Sequence, residues 1–364
     1  MQRKEFGDLS QVIQDFVSVY ALGQDTLNAS IQEGFQDTQA RISAAKAQLL
    51  QQIKTEHQET RRHIDKSQQE HDVKEANRIC LQHLRTTDPR HDKRRIELTK
   101  GSLLKDSYRW ILDNPQFRLW HNDEQSRLLW IRGDPGKGKT MLLCGIIDEL
   151  EETPSAASAS GCCLLSYFFC QATDLRINNA AAVLRGLISR LTVQQPALLQ
   201  HVRTMYDATG KELFADTNAW SALSEIFLNI LKDLSLERTY MIIDALDECV
   251  KGLEDLLQFI DKALPVCPRV KWIISSRNWP SIEERLRTSD EKADQKVQLR
   301  LELNQDSISA AVDTYIKYKV SELATRKKYT RELTKSVRKY LSLNANATFL
   351  WVALVLKELE TIER

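Results

Sequence analysis

A glycine-rich octapeptide between two apolar segments constrains the fold of this chain more than any other feature. Residues 133–140 read GDPGKGKT and fit the pattern G-x-x-x-x-G-K-[ST] at every required position. Leu128–Ile131 precede it as a short apolar run, and Met141–Leu150 follow with apolar residues on most helical faces. A buried strand, a tight turn and a helix in this order predict a phosphate-binding loop in a parallel sheet.

The chemistry of this loop suits a nucleoside triphosphate with its magnesium ion. Backbone N–H groups of the turn and the first helical turn converge on an anion, and the helix dipole adds roughly half a positive charge. We expect Lys139 to reach the β and γ phosphates, and the hydroxyl of Thr140 to coordinate Mg²⁺. The predicted nucleotide-binding residues are Gly133, Asp134, Pro135, Gly136, Lys137, Gly138, Lys139, Thr140 and Met141.

A second apolar segment runs into three carboxylates. Residues 240–248 read YMIIDALDE, so a buried strand is predicted to end at Asp244. Charge at such a strand end is costly unless a cation or solvent compensates it, and Mg²⁺ is one such cation. We predict that this strand lies beside the phosphate-loop strand, with Asp244 as a metal ligand. Glu248 is the candidate to orient or deprotonate water, although helix capping would also explain Asp247 and Glu248.

A third apolar segment, residues 270–277 with the sequence VKWIISSR, ends in an arginine. Arg277 is predicted to sense the γ-phosphate, since a guanidinium makes charge-assisted hydrogen bonds to phosphate and loses them after hydrolysis. The alternative is a surface arginine at a strand end. The presence of the two other nucleotide motifs favours the sensor.

Composition excludes several classes of function. The net charge of +1 gives no general attraction to nucleic acid or membranes, and no aromatic-basic array predicts nucleic-acid binding. The histidines show no zinc spacing. Seven cysteines without a CxxC pair, five of them in or beside apolar stretches, and a polar N-terminus without a signal peptide indicate a cytoplasmic protein. These five are Cys144, Cys162, Cys163, Cys170 and Cys249.

Three regions follow one another along the chain: a helical region, a region in which strands alternate with helices, and a second helical region. Leu9–Arg85 is predicted to be helical, and Ile42–Asp72 reads as a long, mostly solvated helix or a weak coiled coil. A plain helical bundle is favoured for the region, with an oligomerising coiled coil or a membrane-active helix as alternatives, and no sustained heptad or other internal repeat is evident. Thr86–Arg90 breaks the helix, and the basic cluster Arg90–Arg95 reads as a linker. A helix is predicted over Leu103–Asn114, and the apolar run Phe349–Leu356 reads as a buried helix.

Strands alternate with helices in the middle of the chain, which predicts an α/β fold with a parallel sheet covered by helices on both faces. Beyond the phosphate loop, the segments that read as strands are Cys162–Cys170, Tyr240–Asp244, Val270–Ser275 and Leu299–Leu303. An all-helical N-terminal region and a C-terminal helical subdomain flank this fold.

These motifs together resemble the NACHT branch of the STAND nucleotide switches, and in particular fungal NOD-like receptors. The resemblance rests on Leu128–Leu150, Ile242–Glu248 and Trp272–Pro280, and it includes Asp106–Leu112 upstream and Thr348–Leu359 downstream. It spans roughly Leu81 to the end and is weaker before Leu81. It implies roles for Lys139 and Thr140 at phosphate and Mg²⁺, Asp244 at the metal, Asp247 and Glu248 in hydrolysis and Arg277 as sensor. Residues 95–101 are the candidate cover for the base.

The resemblance also implies an ATP/ADP-controlled switch with slow ATP hydrolysis, acting in innate immunity or programmed cell death. Self-association on ATP binding is expected through the NACHT module and the N-terminal helices, and membrane association only through those helices. A metabolic P-loop NTPase and a non-enzymatic scaffold remain alternatives. The expected regions are 1–85 (helical), 86–125 (linker and preceding helix), 126–290 (NACHT) and 291–364 (helical subdomain, without a complete winged helix or repeats).

Overall fold

The computed structural model describes residues 2–101, 103–152, 163–287 and 295–362, with the backbone alone for residues 2–8. The chain divides into two units, residues 1–75 and residues 76–364. Cys162, predicted to begin a strand, lies outside the described residues.

The first unit is part of one continuous helix, α1 (Gln2–Leu84), of 83 residues. No proline interrupts it, and at 1.5 Å per residue such a helix is about 125 Å long. The predicted helical bundle is therefore wrong, because no turn folds this segment back on itself, whereas the long solvated helix read for Ile42–Asp72 is confirmed. Large apolar side chains along the first unit are exposed, among them Phe16 and Phe35. The last turns of α1 belong to the second unit, where Cys80 and Leu84 are fully buried.

The second unit is built on a five-stranded, fully parallel sheet. Its strand order is β2-β3-β4-β1-β5. The fifth strand begins and ends three residues earlier than predicted, and it ends there because a 3-10 turn starts at Leu301. The strands are β1 (Leu128–Arg132), β2 (Leu164–Phe169), β3 (Thr239–Asp244), β4 (Val270–Ser276) and β5 (Lys296–Arg300).

Helices cover both faces of the sheet, which confirms the predicted fold class. Trp130, Phe168 and Trp272 point into one apolar core, while Ile131, Tyr167 and Ile273 point into the other, as the two-residue period of a strand requires. The helices, in chain order after α1, are α2 (Pro89–Lys100), α3 (Lys105–Tyr108), α4 (Trp110–Asp113), α5 (Pro115–Asn122), α6 (Lys139–Glu152), α7 (Ala180–Gln194), α8 (Leu199–Thr209), α9 (Ala219–Lys232), α10 (Leu253–Ala263), α11 (Pro280–Arg287), α12 (Gln305–Lys327), α13 (Arg331–Asn344) and α14 (Phe349–Thr361).

Three helical predictions need correction. The basic cluster after Pro89 is helix α2 rather than a linker, since Asp88 caps its N-terminus and proline is favoured in the first turn. The single helix expected over residues 103–114 is two short helices, α3 and α4. Helix α14 is not buried all round: Val352 and Leu356 are buried, whereas Leu350 and Leu354 are more than half exposed. Within the described ranges, none of the helices is both long and apolar enough to cross a bilayer.

Candidate nucleotide-binding site

The phosphate loop joins β1 to α6 at the carboxyl edge of the sheet. Gly136 and Gly138 have φ values of +80° and +86°, a region that residues with a Cβ rarely enter. Helix α6 begins at Lys139, so the backbone N–H groups of its first turn face the loop. The Nζ of Lys139 donates to the carbonyl oxygens of Gly133 at 2.5 Å and Asp134 at 3.0 Å. Loop and helix thus have the backbone arrangement expected of an anion site, and the nucleotide bound there stays a prediction.

Asp244 ends β3, but this strand does not lie directly beside β1. Strand β4 pairs with both of them and separates them, so the predicted adjacency is wrong. The separating strand contributes Ser275, whose Oγ donates to Asp244 Oδ1 at 2.5 Å and accepts from the backbone N–H of Ala245 at 2.9 Å. Sequence reasoning missed Ser275, because a serine in an apolar strand carries no signal of its own.

Asp244 nevertheless reaches the phosphate loop. Asp244 is 2% exposed, and the hydroxyl of Thr140 lies near enough to its carboxyl to lower the pKa of that group. Burial raises the pKa of Asp244, while hydrogen bonds from Ser275 and Thr140 and the charges of Lys100 and Lys139 act in the opposite direction. Burial also disfavours the charged form of Lys139 and so lowers its pKa, whereas the negative charges of Asp247 and Asp244 act to raise it. Thr140 and Asp244 therefore lie close together, as predicted, although β4 lies between β1 and β3.

The oxygen atoms of Thr140 and Asp244 fit a magnesium site. Mg²⁺ prefers hard oxygen ligands and takes one or two from the protein, with phosphate and water completing the octahedron. Among the described residues, no group of three or more histidine, cysteine, aspartate or glutamate side chains forms an all-protein metal site. The hydroxyl of Thr140 and the carboxylate of Asp244 are hard oxygen donors beside the phosphate loop, so their chemistry suits this ion.

Asp247, Glu248 and Arg277 meet at the same edge of the sheet. Arg277 Nε lies 3.1 Å from Asp247 Oδ2, and Arg277 Nη2 lies 3.8 Å from Glu248 Oε1. Glu248 Oε2 also accepts from the backbone N–H of Ala172 at 3.0 Å. Ala172 follows β2, so three strands contribute to this cluster. The structure therefore brings together the two predicted catalytic acids and the predicted sensor.

A strained alanine shapes the turn between Asp244 and these acids. Ala245 has φ +53° and ψ +53°, in the left-handed region that costs an L-residue roughly 1 kcal/mol. The 3-10 turn Leu246–Glu248 follows directly and places Asp247 where its side chain is buried. A small residue at this position keeps the steric cost low.

The outer side of the phosphate loop contacts the C-terminal helices, which sequence reasoning did not foresee. Lys137 Nζ donates to the carbonyl oxygens of Asn346 at 3.1 Å and Ala347 at 3.2 Å. A Cβ on Gly138 would come 2.9 Å from the ring of Phe349. Glu302 Oε1 accepts from the backbone N–H of Asp134 at 2.7 Å. These contacts join residues more than 150 positions apart, so no local pattern announces them.

The segment predicted to cover the base, residues 95–101, forms the last turns of α2. Its Lys100 is near enough to Asp244 for its charge to lower the pKa of that carboxyl. Gly101 ends the helix with φ +96°, and a Cβ there would lie 3.0 Å from Lys319 Cε. The end of α2 therefore lies on the phosphate-loop side of the sheet, and its contact with a base remains a prediction.

The parallel sheet and the phosphate loop together place this chain among proteins with the P-loop nucleoside triphosphatase fold. Residues 106–277 match the family model described as Nephrocystin 3, N-terminal. The chain is also 56% identical over 280 residues to the vegetative incompatibility protein HET-E-1 of Podospora anserina. These 280 residues make up 77% of this chain and 20% of that protein. These matches confirm the resemblance to fungal NACHT-type NOD-like receptors. The chain spans about a fifth of the length of this curated relative.

Three solved structures show a distant likeness at 14% identity. A DNA replication initiation factor matches with a TM-score of 0.37, over 67% of this chain and 58% of its own. PCH-2 of C. elegans matches with 0.36, over 71% and 61%. The ORC2 protein of Aeropyrum pernix, solved as ADPNP-ADP complexes, matches with 0.33, over 62% and 65%. Scores this low carry no conclusion on substrate or assembly.

Proposed function

We propose that this chain is an ATP/ADP-controlled signalling switch of the STAND class, in which slow, Mg²⁺-dependent ATP hydrolysis resets an oligomerisation-competent state. The observation that carries the proposal is the cluster of Asp247, Glu248 and Arg277 at the sheet edge that also bears the phosphate loop. Similarity to the vegetative incompatibility protein HET-E-1 supports fungal incompatibility as the setting, and innate immunity or programmed cell death is the proposed role.

Each side chain has a role that its surroundings support. Lys139, which now donates to two loop carbonyls, would transfer these hydrogen bonds to phosphate oxygens. Thr140 and Asp244 would hold Mg²⁺, which neutralises phosphate charge when bound. Glu248 would accept a proton from the attacking water, and Asp247 would position Arg277 through their ion pair.

Arg277 is the residue through which the two nucleotides would be distinguished. Reversing a 1:99 equilibrium takes about 5.5 kcal/mol of differential binding. A γ-phosphate offers contacts to Arg277, Lys139 and Mg²⁺ that ADP lacks, and one charge-assisted hydrogen bond contributes about 1.5–3 kcal/mol. A few such contacts are sufficient to shift the switch.

The remaining parts of the proposal concern assembly, location and boundaries. Self-association on ATP binding would involve the NACHT module and the N-terminal helix, with membrane contact only through that helix and no nucleic-acid partner. The six cysteines in the described part of the chain are all unpaired, which supports a cytoplasmic location. The proposed regions end at residues 85, 125 and 290, and the last of these boundaries lies outside the described residues.

The test is Glu248→Gln, which removes the base and keeps the size of the side chain. We expect magnesium-dependent phosphate release to fall about 100-fold or more, with ATP affinity unchanged. Glu225→Gln, on the exposed face of α9, is the matched control.

Light scattering of the Glu248→Gln protein tests assembly. The particles should be larger with ATP than with ADP. Unchanged hydrolysis would remove the base assignment, and equal mass and affinity for both nucleotides would point to a scaffold instead.

A further inference from the structure

A heptad repeat is missing from α1, but a repeat of eleven residues is present. Eleven residues make three helical turns at about 3.67 residues per turn, so residues at this spacing share one line along the helix. The repeat runs through most of the first unit, and its members are between 44% and 63% exposed. They are Leu9, Tyr20, Ile31, Ile42, Ile53 and Ile64.

Neighbouring positions widen this line into an apolar stripe. Residues four or seven positions after members of the repeat lie close to it on the same face. Those that are large and apolar are Ile13, Phe16, Leu27, Phe35 and Leu49, all exposed in the single chain. A solvated helix has no reason to keep such a stripe, and a long helix draws most of its stability from a covered apolar face.

Charge is separated from the stripe in the first half of the helix. From Leu9 to Ala40 the chain has no lysine, arginine or histidine, and its acidic residues lie on the face opposite the stripe. These residues are Asp15, Asp25, Glu33 and Asp37. The following segment brings three basic residues, Arg41, Lys46 and Lys54, before the next acidic one.

Two glycines follow the same period. Gly23 and Gly34 are eleven residues apart and lie beside the stripe, where each costs about 0.5–1 kcal/mol relative to alanine inside a helix. A Cβ at either position would meet nothing within 4 Å, so the chain itself gives no reason for them. Close approach of a second backbone does give a reason, because glycine removes the Cβ that would keep two helices apart.

We infer that α1 pairs through this stripe with α1 of a second copy of the chain, in antiparallel orientation. The eleven-residue period predicts a right-handed superhelix. When two antiparallel copies cross near Ala40, the acidic first segment of each lies alongside the basic residues of the other, whereas a parallel pair would align acidic with acidic. Sizes also match in this register, since Phe35 lies level with Ala45 and Ile31 with Leu49.

Pairing of α1 rests on the proposed self-association and gives it a surface, but it needs no nucleotide. The stripe on α1 contacts a second copy of α1, separately from any ATP-driven contact of the NACHT module. A protein that binds no nucleotide therefore isolates the pairing of α1. Lys139→Ala supplies that background, because the inferred pairing uses no residue of the phosphate loop.

The first experiment is light scattering of the full chain carrying Lys139→Ala at about 10 μM. We expect the mass of a dimer. Adding Ile31→Glu and Ile42→Glu should yield monomers, since four unpaired charges per dimer would then be buried. Leu22→Glu is the matched control, because Leu22 is exposed on the face opposite the stripe, and it should leave the dimer intact. A monomeric parent, or stripe variants that dimerise as well as the control, would overturn the inference.

The second experiment fixes orientation and partner. In an antiparallel pair, Phe35→Cys combined with Ala45→Cys should give an intermolecular disulfide between these two positions, identified by mass spectrometry, whereas Phe35→Cys alone should not link to itself. Self-linkage of the single variant would overturn the orientation.

Flotation with vesicles of phosphatidylcholine and phosphatidylserine should leave the dimer unbound. Membrane-bound monomers would overturn the pairing, while unchanged ADP affinity in Ile31→Glu without Lys139→Ala would leave the proposed switch intact.

Discussion

Arg277 is held by Asp247 at two points. Its Nε lies 3.1 Å from Asp247 Oδ2, and its backbone N–H donates to Asp247 Oδ1 at 2.9 Å. The aspartate side chain is 3% exposed, whereas that of the arginine is 44% exposed. The guanidinium is therefore anchored on one side and open on the other, as a group that exchanges partners with a phosphate needs to be.

Arg277→Gln should weaken ATP binding selectively. Loss of a charge-assisted hydrogen bond to the γ-phosphate predicts an affinity about 10- to 100-fold lower for a non-hydrolysable ATP analogue. Affinity for ADP, measured by calorimetry on the same preparation, should change little and serves as the internal control. An equal loss for both nucleotides would show that Arg277 supports the fold of the site and does not read the γ-phosphate.

The left-handed backbone of Ala245 makes stability sensitive to the side chain at this position. Ala245→Val should lower the free energy of unfolding by about 1–3 kcal/mol, because a β-branched side chain clashes with its own backbone there. Ala245→Gly should stay within about 1 kcal/mol of the parent, since glycine removes strain but adds entropy to the unfolded chain. Urea unfolding measures both, with Ala310→Val on the exposed face of α12 as the control. Equal effects at both sites would argue against the strained turn.

Asp88 gives a pH dependence whose sign is fixed by its partner. Hydrogen bonds from the Arg90 side chain, opposed by burial, lower the pKa of Asp88 from 3.8 to about 2. A carboxyl with a depressed folded pKa stabilises the protein above its unfolded pKa, and that stabilisation is lost as pH falls toward the folded value. Asp88→Asn keeps a capping side chain and removes the charge.

The unfolding free energy of the parent should exceed that of Asp88→Asn by about 1 kcal/mol at pH 6, a modest figure because Arg90 is largely exposed. The difference should shrink between about pH 4 and the lowest pH at which the chain stays folded. Urea unfolding at several pH values measures it. A difference that grows toward acid pH would contradict the ion pair as its source.

Most of the site could be predicted because its motifs are local. The spacing of Gly133, Gly138 and Lys139 predicts a loop conformation, and an apolar strand running into Asp244 predicts a compensating cation or solvent at its end. Both signals lie within about ten residues. They identify the side chains that the structure brings together, and the resemblance to NACHT proteins adds the proposed role of Asp247 in hydrolysis.

Strand order and the contacts of the C-terminal helices could not be predicted in this way. An apolar strand reads the same wherever it lies in a parallel sheet, so nothing local places β4 between β1 and β3 or assigns Ser275 to Asp244. Asn346 and Ala347 have positive φ without being glycine, so the turn that receives Lys137 carries no glycine signal. The period of α1 was hidden for another reason, because a search for heptads does not detect a repeat of eleven.

Calorimetry of Mg·ADP binding to the parent chain and to Lys139→Ala tests whether the phosphate loop binds a nucleotide. Lys211→Ala, whose side chain is 73% exposed, is the matched control. We expect micromolar or tighter binding by the parent and by Lys211→Ala, and no measurable heat with Lys139→Ala. Retained affinity in Lys139→Ala, or no binding by the parent chain, would contradict nucleotide binding by this loop.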